Sequence, residues 1–126
     1  MPGRTVLMLA AVVAALALPA GSAAAPVPVK TYCSQSGDVC FGIFRKSGAI
    51  FLDLTTAAKY FERYTLCVRP PRGAVACRGF PLRRSGQVFA SSVRWHTSFP
   101  GRGPGIYRVT WRLQEPLGPS LAFTLR

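Results

Sequence analysis

The chain has 126 residues, enough for one domain and too few for two. It carries 16 Lys and Arg against 4 Asp and Glu, a formal net charge of +12, with one histidine and four cysteines. So few acids leave little material for paired acid–base chemistry, and one histidine is a poor basis for a metal centre. The positive surplus points to anionic partners.

In chain order, Arg4 precedes an apolar run, Val6–Leu18, which Pro19 and Gly21 break before a stretch of small residues. This is the tripartite form of a secretory signal peptide. The run is shorter than the roughly 20 apolar residues that a transmembrane helix needs. Ser22-Ala23-Ala24 satisfies the small-x-small rule for cleavage. The expectation is therefore a signal peptide over residues 1–24, a mature chain from Ala25 with no transmembrane segment, and a secreted protein. Residues 25–32, rich in proline, read as an extended lead-in outside the core, and residues 33–126 as the folded domain.

All four cysteines lie in that domain. An even count in a secreted chain predicts two disulfides. Cys33 and Cys40 straddle the turn-forming Ser36-Gly37-Asp38, and Cys67 and Cys77 straddle Pro70-Pro71-Arg72-Gly73. Folding about each turn sets its two cysteines opposite each other. The expected pairs are Cys33–Cys40 and Cys67–Cys77, with a bridge between the two halves as the rival. The Cys67 bridge is placed on the outer face, because Tyr64, Leu66 and Val68 alternate with it.

Val39–Phe44 and Ala49–Thr55 read as strands around Arg45-Lys46-Ser47-Gly48. Thr55–Glu62 reads as a crossover between sheets rather than a helix. Arg63–Arg69 and Val75–Leu82 form a hairpin, with Arg83 and Arg84 in the turn beyond it. Gln87–Trp95 alternates, and His96–Pro104 is a long loop. Gly105–Leu113 has the cleanest period-two pattern: Tyr107, Val109, Trp111 and Leu113 on one face, Arg108, Thr110 and Arg112 on the other. Burial of Tyr107 and Trp111 is expected to contribute more than any other pair. After a turn over Gln114–Pro119, Ser120–Arg126 closes the chain with Leu121, Phe123 and Leu125 inward. Seven short strands with Gly and Pro punctuation predict an all-β, immunoglobulin-like or fibronectin-III-like antiparallel sandwich.

With the strands placed, Tyr64-Thr-Leu-Cys-Val-Arg-Pro-Pro-Arg-Gly, Val93-Arg-Trp, Gly105-Ile-Tyr-Arg-Val-Thr-Trp-Arg and Leu117-Gly-Pro-Ser-Leu-Ala-Phe resemble a group of small secreted proteins of high-GC actinobacteria. That resemblance implies an immunoglobulin-like fold and no particular activity. The strand Gly105-Ile-Tyr-Arg-Val-Thr-Trp-Arg and the segment after it also resemble the C-terminal half of CopC-type copper-binding domains. Members of that family hold copper with a histidine at the mature N-terminus and an Asp/His motif after the Trp strand. Here those positions read Ala25-Pro26 and Gln114-Glu115-Pro116-Leu117. The resemblance carries the sandwich and not the copper.

His96, the single histidine, stands beside Trp95 and reads as structural or solvent-facing rather than as a ligand. The acids Asp38, Asp53, Glu62 and Glu115 share no motif, and no Gly-x-Ser-x-Gly elbow occurs. The chain reads as a binding module without a cofactor, not as an enzyme. Its expected site is the outer face where Arg63, Arg69, Arg108 and Arg112 gather, with Arg126 at its edge. Guanidinium groups suit phosphate or carboxylate polymers, which here means anionic polymers of the cell envelope such as teichoic-acid-like polymers and acidic glycans, with lipid headgroups and free nucleic acid as further anions. The competing reading is that the arginines reflect a GC-rich genome and keep a small domain soluble. The tryptophans point inward, so no stacking platform for nucleic-acid bases is expected. The alternatives are a degenerate CopC-like metal binder using His96 and the acids, and an inhibitor-like module presenting the His96–Pro104 loop.

Overall fold

The computed structural model describes residues 25–126 and Gly3, so the expected signal peptide lies outside the described residues apart from that glycine. Among these residues nine strands form in chain order: β1 (Val27–Cys33), β2 (Val39–Lys46), β3 (Ala49–Thr56), β4 (Arg63–Arg69), β5 (Ala76–Pro81), β6 (Arg83–Ser85), β7 (Val88–Arg94), β8 (Gly105–Arg112) and β9 (Leu121–Leu125). The sequence predicts seven, and the two additional strands are β1 and β6. A single helical turn, α1 (Trp95–Ser98), follows β7. The strands make two antiparallel sheets, β1-β2-β3-β7-β6 and β5-β4-β8-β9, packed face to face as an all-β sandwich.

The core follows from the alternation. Phe41 and Ile43 of β2, Leu52 and Leu54 of β3, and Val93 of β7 face Leu66 and Val68 of β4, Val109 and Trp111 of β8, and Phe123 of β9. Trp111 is fully buried and stacks on Phe41 at 4.6 Å. Tyr107 stacks on Phe123 at 5.1 Å, and Trp95 meets both edge-on at 5.0 and 5.4 Å. Offset and edge-on contacts of this kind add to the area term of burial. One hydrogen bond crosses between the sheets: the Tyr64 hydroxyl donates to Ser91 Oγ at 2.6 Å.

Four expectations are corrected. The lead-in is extended but also paired. β1 adds to the edge of β2, and Val29 and Tyr32 pack on the core. Proline at positions 26 and 28 hides that strand from any propensity argument, because pairing at an edge tolerates missing N–H donors. The expected strand Val75–Leu82 is broken. β5 ends at Pro81, buried Leu82 is the pivot, and the chain switches sheets so that Arg83 and Arg84 form β6 against β7 rather than a turn. Trp95 leaves its strand to begin α1, where Trp95 and Phe99 are buried. Leu113 is 42% exposed, because β8 stops at Arg112 and Leu113 N–H turns to the Glu115 carbonyl. The crossover from β3 to β4 holds without a helix; there the buried Thr56 hydroxyl donates to the Ala58 carbonyl at 2.7 Å.

Both disulfides form as expected, Cys33–Cys40 and Cys67–Cys77. In each case the two cysteines are direct cross-strand partners, β1 to β2 and β4 to β5. They fit an oxidising compartment. Among the described residues no helix is long and apolar enough to cross a membrane.

Candidate functional site

The outer face of β5-β4-β8-β9 is built by period two. Residues 66, 68, 109 and 111 point into the core, so 67, 69, 108, 110 and 112 point away from it. β4 and β8 are paired with Arg69 opposite Arg108, Cys67 opposite Thr110 and Thr65 opposite Arg112. Arg69, Arg108 and Arg112 thereby line one groove of about 320 Å³. Its floor carries the Cys67–Cys77 disulfide, and Val75 stands at its rim. Thr110 and Ser120 share a hydroxyl–hydroxyl hydrogen bond of 2.6 Å along its side.

The electrostatics of this groove are one-signed. Arg69 and Arg108 are both exposed and directly opposite across the strand pair, an arrangement that costs stability when the charges are alike. Among the described residues the ion pairs are Lys46–Asp53 at 2.8 Å and Lys59–Glu62 at 3.3 Å. Neither involves the groove. Arg112 is half-buried and donates through Nη2 to the Gln114 carbonyl at 2.8 Å, which holds it at the groove's end.

Of the four expected arginines, the structure brings three together. Arg63 is on the same face but at the far end of β4, opposite Pro81 and over Gly79, so it belongs to a separate hollow with Thr65 and Gln114. Arg126 follows the end of β9 and is exposed. Three contributors lay outside the expectation: Thr110, Ser120 and Val75. Thr110 was visible in the alternation of its strand, Ser120 only through the packing of β9 beside β8, and Val75 only through the β4–β5 turn.

The opposite sheet accounts for one acid. Asp53 accepts from Lys46 Nζ at 2.8 Å and from the Ser92 hydroxyl at 2.6 Å, and Lys46 also lies 4.8 Å over the Phe51 ring. The metal-binding alternative rests on His96, which is exposed and lines a hollow beside Arg45 and Arg94. Among the described residues no three His, Cys, Asp or Glu side chains come together. The loop that follows is braced by Tyr107, which is fully buried; its hydroxyl accepts from Arg102 N–H at 2.9 Å and donates to the Gly103 carbonyl at 2.7 Å.

Burial also tunes one phenol. Desolvation pushes Tyr64 up to about 12, the bond to Ser91 offsets part of that rise, and the negative charge of Asp53 adds to it. Comparison with family models, with curated proteins and with solved structures gives no match.

Proposed function

We propose that the chain is a secreted, disulfide-stapled immunoglobulin-like module that binds anionic polymers of the cell envelope through the outer face of β5-β4-β8-β9. The single observation carrying this reading is the Arg69–Arg108 pair: two exposed guanidiniums set opposite each other with, among the described residues, no carboxylate in ion-pair range. A phosphate or carboxylate seated between them relieves their repulsion and accepts from both forks. The hydroxyls of Thr110 and Ser120 offer further donors along the same groove.

The immunoglobulin-like reading is supported by the order β2-β3-β7-β6 against β5-β4-β8-β9. Tyr107 near the start of β8, with its hydroxyl on backbone a few residues upstream, supports it too, since a tyrosine corner of this form belongs to such sandwiches. Secretion is supported by the two disulfides and by the leader-like N-terminal sequence.

The test is retention of the mature protein on immobilised heparin or teichoic acid at two ionic strengths. Exposed charges act over about 10 Å at 0.1 M salt and about 3 Å at 1 M. Retention at the lower strength that collapses at the higher is the expected result. No retention at the lower strength contradicts the reading.

A further inference from the structure

Basic residues occupy both ends of the strands, but three of the four acids lie at one end. The turns between β1 and β2, between β3 and β4, and between β8 and β9 lie at that end, and they hold Asp38, Glu62 and Glu115, with Lys59, Arg63, Arg83, Arg84 and Arg112 at or beside them. The opposite end is made by the β2–β3 turn, the β4–β5 turn and the connection from β7 to β8. The strand register sets Arg45, Arg69, Arg72, Arg94, Arg102 and Arg108 at or next to it. All six are exposed, and no Asp or Glu occurs in these turns or the strand ends flanking them. The two larger connections meet there: Pro71 lies against Gly105, and Arg102 reaches to within 3.7 Å of where a side chain on Gly73 would begin.

The same end exposes apolar side chains among the arginines. Val27 is 58% exposed, Val75 46% and Ile106 53%. Val27 pairs with Arg45, Val75 lines the groove with Arg69 and Arg108, and Ile106 lies on the outward side of β8, two residues before Arg108. Among the described residues, the remaining exposed large apolar residues, Tyr60 and Leu113, stand at the end that holds the acids. A soluble polymer needs the cations alone. A bilayer surface offers anionic headgroups above an acyl boundary, and a protein that holds it combines cationic charge with modest apolar insertion.

We infer that this end of the sandwich docks on an anionic lipid bilayer, with the strands standing away from the membrane, the six arginines among the headgroup phosphates and Val75 and Ile106 at the acyl boundary. The inference rests on the anion-binding reading to the extent that it shares Arg69 and Arg108. It adds a different contact surface and a specific partner.

The experiment is sedimentation of the mature protein with vesicles of phosphatidylcholine alone and with about one third phosphatidylglycerol, beside heparin retention as the soluble-polymer arm. Binding to the anionic vesicles at least about tenfold tighter than to the neutral ones is expected, since headgroup charge supplies most of the attraction. Ile106→Ser, which lies outside the groove lining, should weaken vesicle binding about fivefold and leave heparin retention unchanged. Ile106 is exposed, so an unchanged thermal midpoint checks that folding is intact. Heparin retention without vesicle binding overturns this inference and leaves the anion-binding reading standing. Loss of neither binding in the Ile106 variant overturns it as well, since charge alone is then sufficient. Failure to bind either probe overturns both.

Discussion

The hydroxyl of Tyr107 and that of Tyr64 show how single polar atoms hold an apolar sandwich together. Tyr107 is buried with both of its hydrogen bonds on the backbone of one loop, at Arg102 and Gly103. Tyr107→Phe keeps the ring stacked on Phe123 and strips partners from two backbone groups. A loss of about 1–3 kcal/mol is expected, the usual cost of leaving buried polar groups unpaired. Urea unfolding measures it, and faster amide exchange confined to residues 99–104 should accompany it. Tyr64 acts through pH. Its folded value of about 12 lies above the ordinary 10.0, so at high pH the unfolded chain releases a proton that the folded chain retains. The stability contributed by neutral Tyr64 is present below about pH 10 and is lost as pH rises toward 12. Between about pH 9 and pH 11 the loss is roughly 1 kcal/mol, and Tyr64→Phe should flatten that slope. Trp111, stacked on Phe41 in the centre of the core, is the larger lever. Trp111→Ala should cost about 3–5 kcal/mol, and a change under about 1 kcal/mol in urea unfolding would contradict its burial.

At the scale of elements, β1 is where local pattern and fold part company. Its ring contact is Tyr32 on Phe41 at 5.0 Å, and Gly118 in the β8–β9 turn lies beneath that pair. A β-carbon on Gly118 would sit 2.6 Å from the Tyr32 ring and 2.9 Å from Phe41. Gly118→Ala should therefore destabilise by about 1–3 kcal/mol through overpacking. In a Tyr32→Ala background the cost should shrink, because the two sites share the contact. Additive costs in a double-mutant cycle would show that β1 does not seat on this turn. The strands legible in the sequence are those whose two faces differ chemically, above all β8, where alternation placed Tyr107, Val109 and Trp111 inward. β1 and β6 were not legible for a different reason in each case. β1 is specified by the free edge of β2, and β6 is three residues whose sheet is decided by the pivot at Leu82. The disulfides were legible because each spans a turn that sets its cysteines opposite. The candidate groove was legible in part: period two places Arg69, Arg108 and Arg112 outward, but only the pairing of β4 with β5 shows that Arg63 stands apart over Gly79.

For the molecule as a whole, the excess of 16 basic over 4 acidic residues is not spread evenly. Three acids lie at one end, the fourth is tied to Lys46, and among the described residues no acid makes an ion pair with Arg69, Arg108 or Arg112. Such a field steers anions toward one side and orients the protein as it arrives. General stickiness from net charge and a located site make different demands, and charge-matched variants separate them. Arg69→Gln with Arg108→Gln removes two charges from the groove. Arg83→Gln with Arg84→Gln removes two charges from β6, in the other sheet. If the groove is the site, the first variant should lose about tenfold or more in heparin affinity at low salt, and the second about twofold or less. The first should also be no less stable than the parent, since it relieves a like-charge pair. Equal losses of affinity from the two variants would contradict the account, because net charge alone would then explain the binding.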